Sequence, residues 1–402
     1  MGELFEVAVN TAAVVNATVN TRAPVHFVVP DAIDDAARVS GGNVYDRHVR
    51  DGLRSRGWDV RMLVIEQAQT NPSADGSATA LAPATPAPTA LALAALPDGA
   101  LVLIDGLIAV AESDAVVAEA SRLRMLVLAH MVWGPSEAAD HDDQAIASID
   151  RERAALRAAK RVIATSEWTR SELTSRGLTA PGTVVVARPG TDPAPAAVAS
   201  RSGGRMLCLG VVAPHKGQDI LVHALARLTD LADWTCTIAG ALNTAPHFVH
   251  ELTSALQTSR LTPRVTLTGA LAGASLERAY GSADLVIVPS RDESFGMVVA
   301  EALARGIPVV ASWVGGVPEA MAGSSAGVLV PADDPWALEV VLRQWLTDPE
   351  RRAELKAAAM DARPAARPWS ATVAVVASAL ESVLSETVHT DHERANQTAA
   401  SA

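Results

Sequence analysis

The feature that most constrains this chain is a series of short apolar runs with little polar alternation. In the first half they are VHFVV (25–29), VRMLVI (60–65), LVLID (101–105), RMLVLAH (124–130), RVIAT (161–165) and TVVVA (183–187). The second half repeats the scheme with MLCLGVV (206–212), WTCTIAG (234–240), RVTLTG (264–269), DLVIVPS (284–290), IPVVAS (307–312) and GVLVP (327–331). Helical patterns fall between several of them, notably at 42–56, 143–159 and 167–176. A strand that turns neither face to water is covered by helices on both sides, and helical crossovers make its neighbours parallel. Two such sets predict an α/β chain of two doubly wound domains, 24–192 and 200–366. The Pro, Gly, Ala and Ser-rich stretch 188–204 marks the boundary between them.

The flanks read differently. An N-terminal extension covers 1–23, and residues 67–99, rich in Ala, Pro and Thr, are expected to form a surface loop with some helix near its end. Residues 369–385 have a helical pattern and are expected to cross back onto the first domain. The tail 386–402 lacks apolar periodicity and is expected to be mobile. Hydrophobic residues make up 49% of the chain and charged ones 19%, which excludes wholesale disorder. A formal net charge of -12 with no long basic run argues against a general binder of nucleic acid or anionic membranes. No stretch reaches the ~20 apolar residues of a membrane span. Glu3 and Glu6 stand where a signal peptide would be basic, so a soluble cytoplasmic protein is expected. Cys208 and Cys236 lie inside apolar runs and read as buried, inert thiols, and no His/Cys cluster has metal-ligand spacing.

Open α/β sheets bind ligands beyond the carboxyl ends of their strands, so the segments that follow the strands carry the chemistry. After DLVIVPS comes RDESFGMVVAEALARG, with Glu293 in the loop, Gly296 allowing close backbone approach, and a helix start between Ser294 and Met297. Free N–H groups and the dipole at such a start favour a phosphate. Glu301, about one turn into the helix, can point to the same strand end, and a carboxylate accepts two hydroxyl hydrogen bonds at once. Taken alone, the two glutamates also read as a loop charge and a helix charge. Lys216, in the loop after MLCLGVV and one of only three lysines, is placed to neutralise a diphosphate; alone it also reads as a solvated loop lysine. Gly41 and Gly42 open a helix after the first strand and suit backbone contact with an anion, although they do not complete a G-x-G-x-x-G. His130 ends its strand at the same edge, where a lone His serves structure as readily as catalysis. The acidic loops 31–35 and 140–143 read as solvated faces.

Together these segments resemble the retaining glycosyltransferases of family 4. The likeness runs from about residue 24 to 385 and is densest in VVAPHKGQDILVHALARL, in DLVIVPSRDESFGMVVAEALARGIPVVAS with its E-x7-E spacing, and in the VGGVPEA turn. It implies the GT-B fold, two facing Rossmann-like domains with a cleft between them. It also implies a nucleoside-diphosphate-sugar donor, an acceptor hydroxyl and no metal or other cofactor. By position, Glu293 would bind hydroxyls of the donor sugar and Glu301 the ribose. Backbone groups of Phe295, Gly296, Met297 and Val298 would hold the diphosphate and sugar. Lys216 would neutralise the leaving diphosphate, Gly41 and Gly42 would close over it, and His130 would reach the sugar near the reacting carbon. One departure stands out: family members commonly have an Arg where this chain has Val211, and losing one charged clamp costs about 1.5–3 kcal/mol of local interaction. Two rival readings keep the fold: a phosphorylase or nucleotide-sugar epimerase, and a non-catalytic nucleotide-sugar-binding protein.

Overall fold

The computed structural model describes residues 23–66, 88–133 and 143–400. The extension 1–22 and residues 67–87 of the Ala/Pro-rich segment lie outside the described residues, as does most of the acidic loop 140–143.

The first sheet is built from β1 (Val25–Pro30), β2 (Val60–Ile65), β3 (Leu101–Asp105), β4 (Arg124–Ala129), β5 (Arg161–Ala164) and β6 (Val184–Val186). Its order is β2-β1-β3-β4-β5-β6 and every pair is parallel. Around it lie α1 (Gly41–Ser55), α2 (Pro88–Ala94), α3 (Gly106–Ala111), α4 (Ser113–Glu119), α5 (Asp143–Ala158) and α6 (Glu167–Ser175). The second sheet comprises β7 (Arg205–Leu209), β8 (Thr235–Ala239), β9 (Val265–Leu267), β10 (Leu285–Val288), β11 (Val309–Ser312) and β12 (Gly327–Val330). Its order is β12-β11-β10-β7-β8-β9, again all parallel. Its helices are α7 (Gln218–Leu225), α8 (Pro246–Thr258), α9 (Gly273–Ser282), α10 (Met297–Ala304), α11 (Val317–Ala320), α12 (Pro335–Thr347) and α13 (Pro349–Ala362). Each apolar run picked out in the sequence supplies one strand. The strands are shorter than the runs where the chain turns toward the site, as after Leu209, where Gly210 takes φ 144°.

Successive residues of a strand point to opposite faces, so a strand covered on both sides feeds two cores. Val25, Phe27, Leu101 and Leu103 pack into one core with Val49 and Leu53 of α1, while Val28, Val102 and Ile104 pack into another with Ile108 and Leu156. The second domain divides the same way, with Met206, Cys208, Cys236 and Ile238 on one face and Leu207, Val286 and Val309 on the other. Both cysteines are free and buried, and burial pushes the Cys208 thiol up to about 12, so neither offers a reactive thiolate at neutral pH.

The last helix, α14 (Trp369–Ala400), places Val373, Val376, Ala377, Leu380 and Val383 in the α1 core of the first domain. At three- and four-residue spacing these form one stripe, and each buried Val or Leu in it is worth roughly 1.5–3 kcal/mol. The helix continues to Ala400 instead of ending at 385. Residues 386–400 have no apolar stripe, but they contain neither Gly nor Pro to stop a helix already nucleated upstream. The acidic loop at 31–35 is likewise more than a solvated face: Asp31 and Asp35 both hold Arg38.

Candidate functional site

Each sheet has one point where its strand order reverses, and a crevice opens there because neighbouring strands lead away to opposite sides. In the second sheet the reversal lies between β7 and β10. The loop after β7 carries Lys216, and the loop after β10 carries Glu293 through Gly296. In the first sheet it lies between β1 and β3; Gly41 and Gly42 follow β1, Asp105 closes β3, and His130 follows β4 next to it. Both edges line one cavity of about 540 Å³.

The structure brings every residue singled out in the sequence to that cavity. Gly41 and Gly42 form the first turn of α1, whose start is capped by Ser40 Oγ accepting from the Asn43 N–H at 3.1 Å. The first intrahelical bond runs from Val44 N–H to the Ser40 carbonyl, so the N–H groups of both glycines precede the ladder. Across the cleft α10 starts at Met297, the last of the positions expected. Gly296 caps it with φ 98°, a left-handed conformation that side chains other than glycine adopt rarely. Val299 and Ala300 make the first helical bonds, both to the Gly296 carbonyl, which leaves the Met297 and Val298 N–H groups outside the ladder at the cavity wall. A side chain begun at Gly41 would come within 3.6 Å of Met297 Sδ, so the two helix starts face each other closely. Phe295 contributes backbone, since its ring is buried in the core under α10.

The loop that carries Glu293 rests on the GGVPE turn. A Cβ at Gly315 (φ 52°) would fall 1.9 Å from the Glu293 carbonyl oxygen, and Gly316 N–H donates to that same oxygen at 2.9 Å. Glu293 and Lys216, expected to serve different parts of a ligand, here pair with each other at 2.6 Å. Glu301 accepts from the Tyr280 hydroxyl at 2.5 Å. Burial pushes its carboxyl up, against the pull of Tyr280 and Arg305. Asp292, which the sequence did not single out, also lines the cavity, with its carboxyl raised by burial and by the neighbouring Glu293 charge. Val211 lines the cavity as well. Among the described residues the lining holds no Arg, and Lys216 is its one Lys. Arg291, nearest in sequence, is engaged elsewhere by Asp219 and Asp333.

His130 is not a lone histidine. Its Nε2 lies 2.8 Å from Asp46 Oδ1, on α1, and 3.4 Å from Asp105 Oδ2, at the end of β3. Burial alone would favour the neutral ring, but the charge of Asp46 and hydrogen bonds to both carboxylates raise His130 to about 10. Burial pushes Asp46 up to about 7. Asp105, although buried, is held below the usual carboxylate range by His130, by Asp46 and by the Leu107 N–H at 2.6 Å. These three residues offer ligand atoms within 4.8 Å of one another, a spacing that can hold a metal ion. The direct contact of Nε2 with Asp46 fits a hydrogen-bonded ion cluster. Sequence spacing does not reveal it, because positions 46, 105 and 130 meet only through the topology of β1, β3 and β4. The available signal was a carboxylate closing an apolar strand and another on a helix face that is otherwise buried.

A second group has a role that the sequence did not reveal. Glu319, of the GGVPE turn, accepts from the Glu167 N–H at 2.8 Å and the Trp168 N–H at 3.4 Å, at the start of α6 in the other domain. It also pairs with Arg188 of the interdomain segment. Beside it Ser166 Oγ donates to the Ser294 carbonyl at 2.6 Å. The loop that holds Glu293 is therefore clasped from the first domain.

Residues 200–361 match the family model described as glycosyl transferases group 1. A D-inositol 3-phosphate glycosyltransferase of Kineococcus radiotolerans is 34% identical over 251 residues, covering 55% of this chain and 57% of the relative. The chain thus spans a little over half the length of that curated relative. Among solved structures, sucrose-phosphate synthase from Thermosynechococcus elongatus aligns over 91% of this chain and 100% of its own, at 22% identity and a TM-score of 0.72. Anabaena Alr3699/HepE in complex with UDP and glucose aligns over 90% and 100%, at 19% identity and a TM-score of 0.65.

Proposed function

With two facing parallel sheets of the GT-B type and a second domain that matches a glycosyltransferase model as premise, we propose that this chain is a retaining, metal-independent glycosyltransferase. It moves a sugar from a nucleoside-diphosphate sugar to an acceptor hydroxyl. The observation that carries the reading is the meeting, at one switch-point cavity, of Lys216, Glu293 and the start of α10 with the start of α1 and His130.

The diphosphate lies on the N–H groups that open α10, with Lys216 taking the charge that grows on the leaving oxygen. Glu293 turns from Lys216 to the hydroxyls of the donor sugar, and Glu301 holds the ribose. His130, kept charged by Asp46 and Asp105, donates to the sugar near the reacting carbon. Retaining glycosidases set two carboxyl groups ~5–5.5 Å apart, one of them as nucleophile. Here both motif glutamates are assigned to hydroxyl binding, so the reaction is written as a front-face displacement. The acceptor O–H gives its proton to a leaving-phosphate oxygen, the acceptor oxygen bonds to the anomeric carbon, and the bond from that carbon to the diphosphate breaks. Orientation and exclusion of water between the domains supply the remainder. D-inositol 3-phosphate, which names the Kineococcus relative, is one acceptor to test.

Donor hydrolysis or transfer, followed as nucleotide release, tests the proposal. Glu293→Ala and Lys216→Ala are each expected to lower transfer at least 100-fold with unchanged circular dichroism, and parental rates in both would overturn the site. The binding-only reading draws on Val211 and on the Lys216–Glu293 pair. It predicts tight nucleotide binding and no release with any acceptor.

A further inference from the structure

The donor half of the cavity belongs to the second domain, which leaves the acceptor to the edge of the first sheet. That edge is closed by Asp105 at the end of β3, His130 after β4 and Thr165 after β5. Beside them the cavity wall is formed by Val39, Leu107, Met131 and Trp133. We infer that this side of the cleft takes an uncharged hydroxyl compound with an apolar flank, and disfavours a phosphorylated one. The inference rests on the transferase reading above.

Charge is the first argument. His130 stands against two carboxylates, Asp46 and Asp105, so near neutral pH the cluster sums to zero or to a negative charge. The arginines of the neighbouring first-domain segments are already engaged. Arg38 is held by Asp31 and Asp35, Arg47 donates to the Ile33 carbonyl, and Arg176 donates to the Trp133 carbonyl. Lys160 is the first domain's one lysine, and it precedes β5, at the opposite end of the sheet from the cleft. The sequences of 67–87 and 134–142 contain neither Lys nor Arg. A phosphate ester carries about −1.5 to −2 charge at neutral pH and is ordinarily met by Arg, Lys or helix N–H groups, and the free N–H groups of Gly41 and Gly42 face the start of α10, where the donor diphosphate is placed. Set against the buried carboxylate of Asp105, it meets like charge where screening is weak.

The second argument is the hydroxyl of Thr165. It is buried, lies at the strand end that lines the cavity, and its Oγ1 has no hydrogen-bond partner among the described residues. A hydroxyl both donates and accepts, so an acceptor hydroxyl satisfies it. Trp133 and Met131 offer the flat apolar surface that the rest of a neutral ring or chain would cover.

The test compares matched pairs on the full chain: myo-inositol with D-inositol 3-phosphate, and octyl glucoside with octyl glucoside 6-phosphate. Binding is measured by calorimetry in the presence of the nucleoside diphosphate, and transfer by nucleotide release. At least one neutral member is expected to bind and react 10-fold better than its phosphorylated counterpart. Thr165→Val is expected to raise the KM of the neutral acceptor several-fold while lowering kcat far less. A phosphorylated member that binds or reacts better overturns the inference, and so does a set in which neither kind binds. If no donor releases nucleotide although the neutral compounds bind, the transferase reading fails and the inference about the site's ligand stands.

Discussion

Glu319 joins the two domains through a contact that one substitution can test. Its carboxylate takes two N–H groups at the start of α6, at 2.8 and 3.4 Å, and pairs with Arg188. A hydrogen bond to a charged group contributes roughly 1.5–3 kcal/mol, and the 3.4 Å contact is the weaker of the two. The negative charge at a helix start adds about 0.3–1 kcal/mol. Arg188 is 40% exposed, so solvent screens its pair with Glu319 and its share is within about 1 kcal/mol. Glu319→Ala is therefore expected to weaken docking of the domains by about 2–4 kcal/mol, and Glu319→Gln, which keeps an acceptor oxygen, by about half as much. Differential scanning calorimetry should show a midpoint lowered by several degrees, on the usual scale of about 2–4 °C per kcal/mol for domains of this size. Small-angle scattering should show a larger radius of gyration below the transition. Arg188→Ala combined with Glu319→Ala should cost less than the sum of the two, because they share one contact. A Glu319→Ala protein whose midpoint lies within 1 °C of the parent, with an unchanged radius of gyration, would refute the reasoning. The residue would then be a motif glutamate with no part in holding the domains.

The remaining predictions concern buried charge and backbone. Glu152 is almost wholly buried, accepts from the Trp133 N–H at 3.0 Å, has no partner for its second oxygen among the described residues and has its carboxyl pushed up to about 7 by burial. Its folded pKa lies above the ordinary value, so the unfolded chain holds fewer protons between pH 4.5 and 7, and stability falls as pH rises through that window. Glu152→Gln should thus stabilise the protein by about 3 kcal/mol at pH 8 and by little at pH 4.5, as read by urea denaturation at the two pH values. His130 should keep its proton past pH 8, and Asp46→Asn should bring its titration down toward the neutral range. Both are visible in the imidazole signals of an NMR pH series, and a parent His130 that titrates near 6.5 would contradict the ion cluster. Gly315→Ala sets a side chain on the Glu293 carbonyl and should lower both the midpoint and nucleotide affinity, whereas the same change at the open Gly281, in helix α9, should lower neither.

The parallel sheets were readable because a run such as LVLID lacks alternation for a local reason: both of its faces are covered. The switch-point loops were readable because Lys216, Glu293 and Gly296 follow their strands directly. What could not be read is what chain-distant partners do to one another. Asp46 meets His130 only because α1 packs beside the end of β4, and nothing within ten residues of either position announces it. Glu319 looked like part of a turn, yet its partners at 167, 168 and 188 lie in the other domain. The pairing of Lys216 with Glu293 belongs to the same class, since each was assigned to a ligand and neither to the other.

That last pair bears on the departure at Val211. Each positive group in the cavity already has an anionic partner: Lys216 has Glu293, and His130 has Asp46 and Asp105. In the proposed reaction the donor brings both a diphosphate and sugar hydroxyls, so it can take Lys216 with one part and Glu293 with the other. The ion pair is then exchanged and no buried charge is stranded, which limits the cost of opening it. An Arg at position 211 would strengthen the hold on the diphosphate but would also compete for Glu293 before the donor arrives. Val211 leaves Glu293 one partner to release. The consequence is measurable: Val211→Arg should tighten binding of the nucleoside diphosphate alone more than it tightens binding of the complete sugar donor. If the intact donor gained as much affinity as the bare nucleotide, Glu293 would not be the group that the sugar recruits.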